Sequence, residues 1–145
     1  MLFRSTAVTI DSNNSVVNSG LISSTPLSNL TGVHILGNLT GNFTNIGNIS
    51  FPGNTTTSTA VNGVLLDGNG SFTGNLVTMS GSTVSVSGFD ANAFAIKTEL
   101  NGNFTNGGLI KSIGTGSAGI TTSATIDGAF VNNGTITSEI GRAHV

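Results

Sequence analysis

One pattern constrains the fold of this chain more than any other feature: three stretches beginning at Leu39, Leu100 and Ile126 place the same residue types at alternate positions. The first runs Leu39, Gly41, Phe43, Asn45, Gly47, Ile49, the second Leu100, Gly102, Phe104, Asn106, Gly108, Ile110, and the third Ile126, Gly128, Phe130, Asn132, Gly134, Ile136. A weaker copy keeps Val16, Asn18, Gly20 and Ile22. A fifth is read at Gly70 and Phe72, with Gly74 falling where the asparagine belongs. On this alignment the anchors Val16, Phe43, Phe72, Phe104 and Phe130 are 27, 29, 32 and 26 residues apart. Upstream of them lie second apolar segments, Val33 with Ile35, Val64 with Leu66, Phe94 with Ile96, and Ile120 with Thr122.

Alternate residues share one face of a strand, whereas positions i and i+2 of a helix point apart, so the period-2 pattern predicts strands. Composition agrees: Gly, Asn, Ser and Thr make up 78 of 145 residues, while Ala, Glu, Lys, Arg, Met and Gln total 17. Asn62-Gly63, Gly68-Asn69 and Asn133-Gly134 are expected to supply positive-φ corners between strands. A meander gives no reason for a six-residue pattern to return after about 28 residues, but stacked coils bring equivalent side chains together at the ~4.8 Å strand spacing. The expected fold is therefore all-β, a parallel and right-handed β-helix, or β-solenoid, of about five coils of 26–32 residues. Stacking places Phe43, Phe72, Phe104 and Phe130 in one internal aromatic ladder, flanked by rows of Leu39, Leu100, Ile126 and of Ile49, Ile110, Ile136. Asn45, Asn106 and Asn132 share the parity of these core residues. They either form a stacked amide ladder at a corner or sit at solvated bends.

Several function classes are excluded early. Charged residues are 7% of the chain and the net charge is −2, which leaves no basic stripe for phosphates, so nucleic acid is not an expected partner. Without cysteine there is no disulfide, thiolate metal site or thiol nucleophile. No apolar run approaches the ~18 residues of a membrane-spanning helix. No cofactor is expected. Gly114 to Gly119 lacks the Gly-Lys-Ser/Thr of a phosphate loop and reads as a loop between coils. The frequent Asn-x-Ser/Thr triplets, such as Asn42-Phe43-Thr44, are what chance yields in a chain this rich in the three residues.

The blocks Gly41-Asn42-Phe43-Thr44-Asn45, Gly102-Asn103-Phe104-Thr105-Asn106 and Gly128-Ala129-Phe130-Val131-Asn132, with their Gly-x-Ile tails, resemble the β-helical passenger repeats of bacterial autotransporter-type (type V secreted) surface adhesins. The likeness covers most of residues 7–138. It implies an exported, outer-membrane-anchored passenger at the bacterial cell surface whose partners are neighbouring coils of the same passenger, host or cell-surface glycans or proteins, or further copies of itself. Met1 to Thr6 has no apolar signal-peptide core, and the start is expected to be internal to a longer protein. Ile140-Gly141-Arg142-Ala143-His144-Val145 matches one reading frame of a sequencing adapter. The solenoid segment is accordingly assigned to residues 1–138 and residues 139–145 to a non-native tail.

The rival function is a polysaccharide-acting β-helix enzyme, a hydrolase or lyase. Counted from the anchors Phe72 and Phe104, Asp67 and Glu99 both lie five positions upstream, and stacking would bring them ~5 Å apart, the carboxylate separation of a retaining glycosidase. Lys97 shares the face of Glu99, and no further carboxylate row supports the pair. Asp11, Asp90 and Asp127 are isolated, as is His34, which has no expected carboxylate neighbour. Thr55 to Thr59 and Ser80 to Ser87 read as hydroxyl-bearing surface segments that do not recur at one register, against an ice-binding plane. The expected function is a non-catalytic structural and adhesive segment.

Overall fold

In the computed structural model, which describes residues 5–26, 28–54 and 60–140, the chain winds through five coils of parallel strands and contains no helix among those residues. The first coil holds β1 (Ser5–Ile10), β2 (Val16–Asn18) and β3 (Leu21–Ser23), and the second β4 (Leu30–Leu36), β5 (Phe43–Asn45) and β6 (Asn48–Pro52). The third holds β7 (Asn62–Asp67), β8 (Ser71–Thr73), β9 (Leu76–Thr78) and β10 (Thr83–Ser87). The fourth holds β11 (Asn92–Ile96), β12 (Glu99–Asn101), β13 (Phe104–Asn106) and β14 (Leu109–Ile113), and the fifth β15 (Ala118–Thr122), β16 (Phe130–Asn132) and β17 (Thr135–Glu139). Equivalent strands pair from coil to coil into three five-stranded sheets: β1-β4-β7-β11-β15, β2-β5-β9-β13-β16 and β3-β6-β10-β14-β17. A short β8-β12 sheet lies between the first and second. The parallel β-solenoid of about five coils expected from the repeat is the fold observed.

One anchor sits elsewhere than the repeat alignment placed it. The second sheet pairs Val16 with Phe43, Phe43 with Leu76, Leu76 with Phe104 and Phe104 with Phe130. Leu76, not Phe72, therefore occupies the third rung, and the anchors are 27, 33, 28 and 26 residues apart. Phe72 is buried one row away, paired with Leu100, which bridges onward to Ile126, and the Thr40 to Thr73 bridge brings Leu39 beneath it. The physical cause is visible in the chain: Gly74-Asn75-Leu76-Val77-Thr78 repeats the Gly-Asn-Phe-Thr-Asn block with Leu for Phe and Thr for Asn. The third coil carries its extra residues elsewhere. The row of Ile22, Ile49, Val84, Ile110 and Ile136 runs as expected along the third sheet.

These rows make the core. Phe43, Leu76 and Phe104 are all but completely buried. The Phe104 ring stacks on Phe130 with centroids 5.1 Å apart and planes 6° from parallel, and meets Phe94 of the first sheet edge-on at 5.0 Å and 85°. Phe130, in the last coil, keeps 50% of its surface exposed because no described coil covers it. Coils can approach this closely only where the backbone carries no side chain. A methyl on Gly102 would collide with the Gly74 carbonyl oxygen of the coil below, and Gly74 stands over Gly41 in the same way.

The asparagines resolve in favour of the ladder. Asn18, Asn45, Thr78, Asn106 and Asn132 stand in register. Asn18 Nδ2 donates to Asn45 Oδ1 at 2.8 Å, the Thr78 hydroxyl donates to Asn106 Oδ1, and Asn106 Nδ2 donates to Asn132 Oδ1 at 2.8 Å. Asn45 and Asn106 are fully buried, so these bonds satisfy amides that would otherwise cost several kcal/mol. A second ladder runs outside the coil. Asn42 Oδ1 accepts the Asn75 N–H at 2.8 Å, Asn75 Oδ1 accepts the Asn103 N–H at 2.9 Å, and Asn103 Oδ1 accepts the Ala129 N–H at 2.8 Å.

Corners are shaped by left-handed residues, though not all where expected. Gly68 has φ 119°, but Asn62-Gly63 lies inside β7, where Gly63 lets the Ala93 carbonyl approach. The corner entering the first sheet is made in successive coils by Asn29 (φ 57°), Ala60 (φ 54°), Asp90 (φ 53°) and Gly116 (φ 71°). Asn, Asp and Gly suit this conformation, while alanine bears its steric cost. Of the expected hydroxyl segments, β10 turns Val84 and Val86 inward and its serines outward, while Thr55 to Thr59 lie outside the described residues, as do Met1 to Arg4 and Gly141 to Val145.

Candidate functional site

The coils gather polar chemistry at one place, the outer surface of the first sheet near its C-terminal edge. His34, mid-strand in β4, faces outward because its neighbours Val33 and Ile35 are fully buried. Asp67 ends β7, one coil on and paired with Leu36. The diagonal step between them brings His34 Nε2 against Asp67 Oδ1 in a direct contact. The expectation that His34 lacks a carboxylate neighbour is thus corrected, because the solenoid supplies from 33 residues away what the local sequence does not.

Lys97 extends this cluster. Leu66 pairs with Ile96, and Leu66 O accepts the Lys97 N–H at 2.8 Å, so Lys97 stands in the fourth coil over Asp67. A shallow depression lined by Asn29, Thr31, Ala60, Asn62, Leu65, Asp67 and Lys97 opens here. Its walls are two amides, a hydroxyl, one carboxylate and one ammonium beside the apolar Ala60 and Leu65. Such a surface can hold a small polar group by hydrogen bonds. The side chains of His34 and Asp67 keep 24% and 37% of their surface in water, so the contact is solvent-screened.

Glu99 is not part of it. Glu99 pairs with Ser71, so the carboxylates that the repeat count placed on equivalent positions occupy different rows: Asp67 aligns with Lys97, and Glu99 with a serine. The displacement follows directly from the shifted third anchor. Asp67 and Glu99 do not stack as a pair across adjacent coils. Among the described residues no three His, Asp or Glu side chains come together as a metal cage would require. No helix among them is long and apolar enough to cross a membrane. On the third sheet Lys111 Nζ meets Glu139 Oε1 at 2.9 Å, and Glu139 is the last residue of β17.

The repeat residues themselves do positioning work. Leu39, Phe72, Leu100 and Ile126 form the row at the corner between the first and second sheets. Gly41, Gly102 and Gly128 allow coil-to-coil approach. The glycines after the asparagines, Gly47, Gly108 and Gly134, take part in the turn into the third sheet, where Asn45 Nδ2 donates to Gly47 O at 3.0 Å and the Gly108 N–H donates to Asn106 Oδ1 at 3.1 Å. Asn75 and Thr78 belong to the same two ladders but escape the repeat formula. The Gly-Asn step at 74–75 is the signal that identifies them. The His34–Asp67 pair has no local signal and is legible only once the register is known. No protein-family model, characterised protein or solved structure matches the chain.

Proposed function

We propose that this chain is a structural and adhesive segment of an exported bacterial cell-surface passenger, extending a binding surface rather than catalysing a reaction. The observation that carries this reading is the continuity of the rows. The same positions serve a core rung in all five coils, an amide rung in four of them with Thr78 standing in for the fifth, and a close-packed glycine in four, so the chain's distinctive residues are used to propagate the stack. The autotransporter-type resemblance of the Gly-Asn-Phe-Thr-Asn blocks supports the surface setting. An exterior of amides and hydroxyls suits weak, repeated hydrogen bonding, which gains strength through multivalency rather than through one deep pocket.

The test sets adhesion against turnover. The purified 145-residue chain, immobilised on beads, should retain bacterial cells or a member of a glycan panel while leaving every glycan in that panel intact. Glycan cleavage that is abolished by Asp67→Asn or Glu99→Gln would overturn the reading in favour of a polysaccharide-acting enzyme. Absence of retention on every surface would overturn the adhesive part.

A further inference from the structure

Thr31 and Asn62 are register partners on β4 and β7 and line the depression on the first sheet, yet each keeps only 9% of its surface exposed. Polar side chains buried to this degree are normally bonded within the protein. These two are not fully bonded: among the described residues the Thr31 hydroxyl and Asn62 Nδ2 have no hydrogen-bond partner. Asn62 uses only its Oδ1, which accepts from Asn92 Nδ2 at a long 3.5 Å. The spare hydrogen-bonding capacity of both residues therefore opens into the depression they line.

The other end of the same depression is charged. Asp67 gives Oδ1 to His34, which holds the carboxylate in place, and leaves Oδ2 without a partner among the described residues. Lys97, its neighbour one coil on, forms no ion pair with it or with any other described residue. A free acceptor and a free donor of opposite charge thus stand side by side on parallel strands ~4.8 Å apart. Between the two ends lie the half-buried Leu65 and the exposed Ala60, both apolar.

We infer that this depression is a binding subsite for an uncharged sugar ring within a glycan. Charge selects the class. A carboxylate ligand would be repelled by Asp67 and an ammonium ligand by Lys97, whereas a hydroxyl set between them donates to Asp67 Oδ2 and accepts from Lys97 Nζ. The opposite end presents a donor in Asn62 Nδ2, a group that both donates and accepts in the Thr31 hydroxyl, and the amide of Asn29, all of which hydroxyls answer. Leu65 offers the C–H face of a ring an apolar surface to lie on. The depression holds about 120 Å³, against roughly 150 Å³ for a cavity that takes up benzene, which is room for a ring but not for a folded chain. A site this shallow binds weakly, and its use lies in many copies engaging one polymer. The inference rests on the adhesive reading, to which it gives a ligand class and a location.

Amide proton–nitrogen NMR on the 145-residue chain tests it, by titration with the uncharged disaccharides cellobiose, maltose, lactose, mannobiose and diacetylchitobiose, the anionic digalacturonate, and the cationic, deacetylated form of chitobiose. At least one uncharged disaccharide should shift the signals of Thr31, Asn62, Leu65, Asp67 and Lys97 together, and both charged probes should bind about tenfold more weakly or worse. Thr31→Val, which keeps the side chain's shape and removes its hydroxyl, and independently Asp67→Ala should each raise the dissociation constant about tenfold while the melting curve stays that of the parent. Ser85→Ala, outward on the third sheet, should leave binding unchanged. No response at these residues to any uncharged disaccharide, tighter binding of a charged probe, or Thr31→Val and Asp67→Ala variants that bind like the parent would overturn the inference. The two readings fail separately: beads that retain cells while no uncharged disaccharide reaches the depression overturn this inference alone, and binding in the depression with nothing retained on beads overturns the adhesive reading alone.

Discussion

Asn106 gives the most exacting test of how the coils are held together. Its amide is fully buried and fully used. Oδ1 accepts from the Thr78 hydroxyl and from the Gly108 N–H at 3.1 Å, and Nδ2 donates to Asn132 Oδ1 at 2.8 Å and to Thr135 O at 3.3 Å. Asn106→Ala removes all four bonds. Each is worth roughly 0.5–1.5 kcal/mol net, and the Thr78 hydroxyl, itself 1% exposed, is left without its acceptor at a further cost of roughly 1–3 kcal/mol. With the weaker, longer bonds counted at the low end, the expected loss is about 3–5 kcal/mol. Equilibrium urea unfolding followed by far-UV circular dichroism measures it. The same experiment on Thr78→Val, which removes only the donor, should show a loss of about 1 kcal/mol. In the double variant no stranded hydroxyl remains, so the combined loss should fall short of the sum by about 1–2 kcal/mol. A loss below about 1 kcal/mol for Asn106→Ala, or strict additivity in the double variant, would mean the asparagines sit at solvated bends and that the ladder reasoning is wrong.

Two further outcomes follow from the same geometry. Phe104→Ala should cost about 3–5 kcal/mol in urea unfolding, because it removes a ring packed against both Phe94 and Phe130, while Phe130→Ala, half-exposed in the last coil, should cost less than half as much. Ala60→Gly should stabilise by about 0.5–1 kcal/mol, read as a rise in melting temperature, since Ala60 holds the left-handed corner that Gly116 fills at no steric cost in the last coil.

The sequence made the architecture legible because stacking demands repetition. A buried rung such as Phe104 and an amide rung such as Asn106 each need an equivalent neighbour one coil away, and that need is written into the chain as a period. The third coil was misaligned for a chemical reason. There Leu76 and Thr78 replace Phe and Asn with residues that still fill the core and still hydrogen-bond, while Phe72, four residues earlier, imitates the missing anchor. An alignment keyed to the largest side chain follows Phe72, and one keyed to Gly74, whose close backbone approach to Gly41 leaves no room for a side chain, finds the true register. The error carried into the candidate site. It set Asp67 beside Glu99, whereas the fold sets Asp67 against His34 and under Lys97. Surface pairs of this kind lie diagonally across coils and impose no spacing rule on the sequence, so they become visible only when the register is fixed.

That register is the claim on which the core rows, both amide ladders and the polar depression all depend, and paired cysteines test it directly in a chain that has none of its own. Val77 and Thr105 are outward-facing partners on adjacent strands of the second sheet, and parallel neighbours at ~4.8 Å fall within the Cα separation a disulfide can bridge. Under mild oxidation at low protein concentration, Val77→Cys with Thr105→Cys should close an intramolecular disulfide, detected by peptide mapping, and the variant should unfold at higher urea concentration than its reduced form. Thr73→Cys with Thr105→Cys, the partners required if Phe72 were the anchor, should remain reduced under the same conditions. Bond formation in the second pair and not in the first would contradict the register, and with it the account of how the five coils are built.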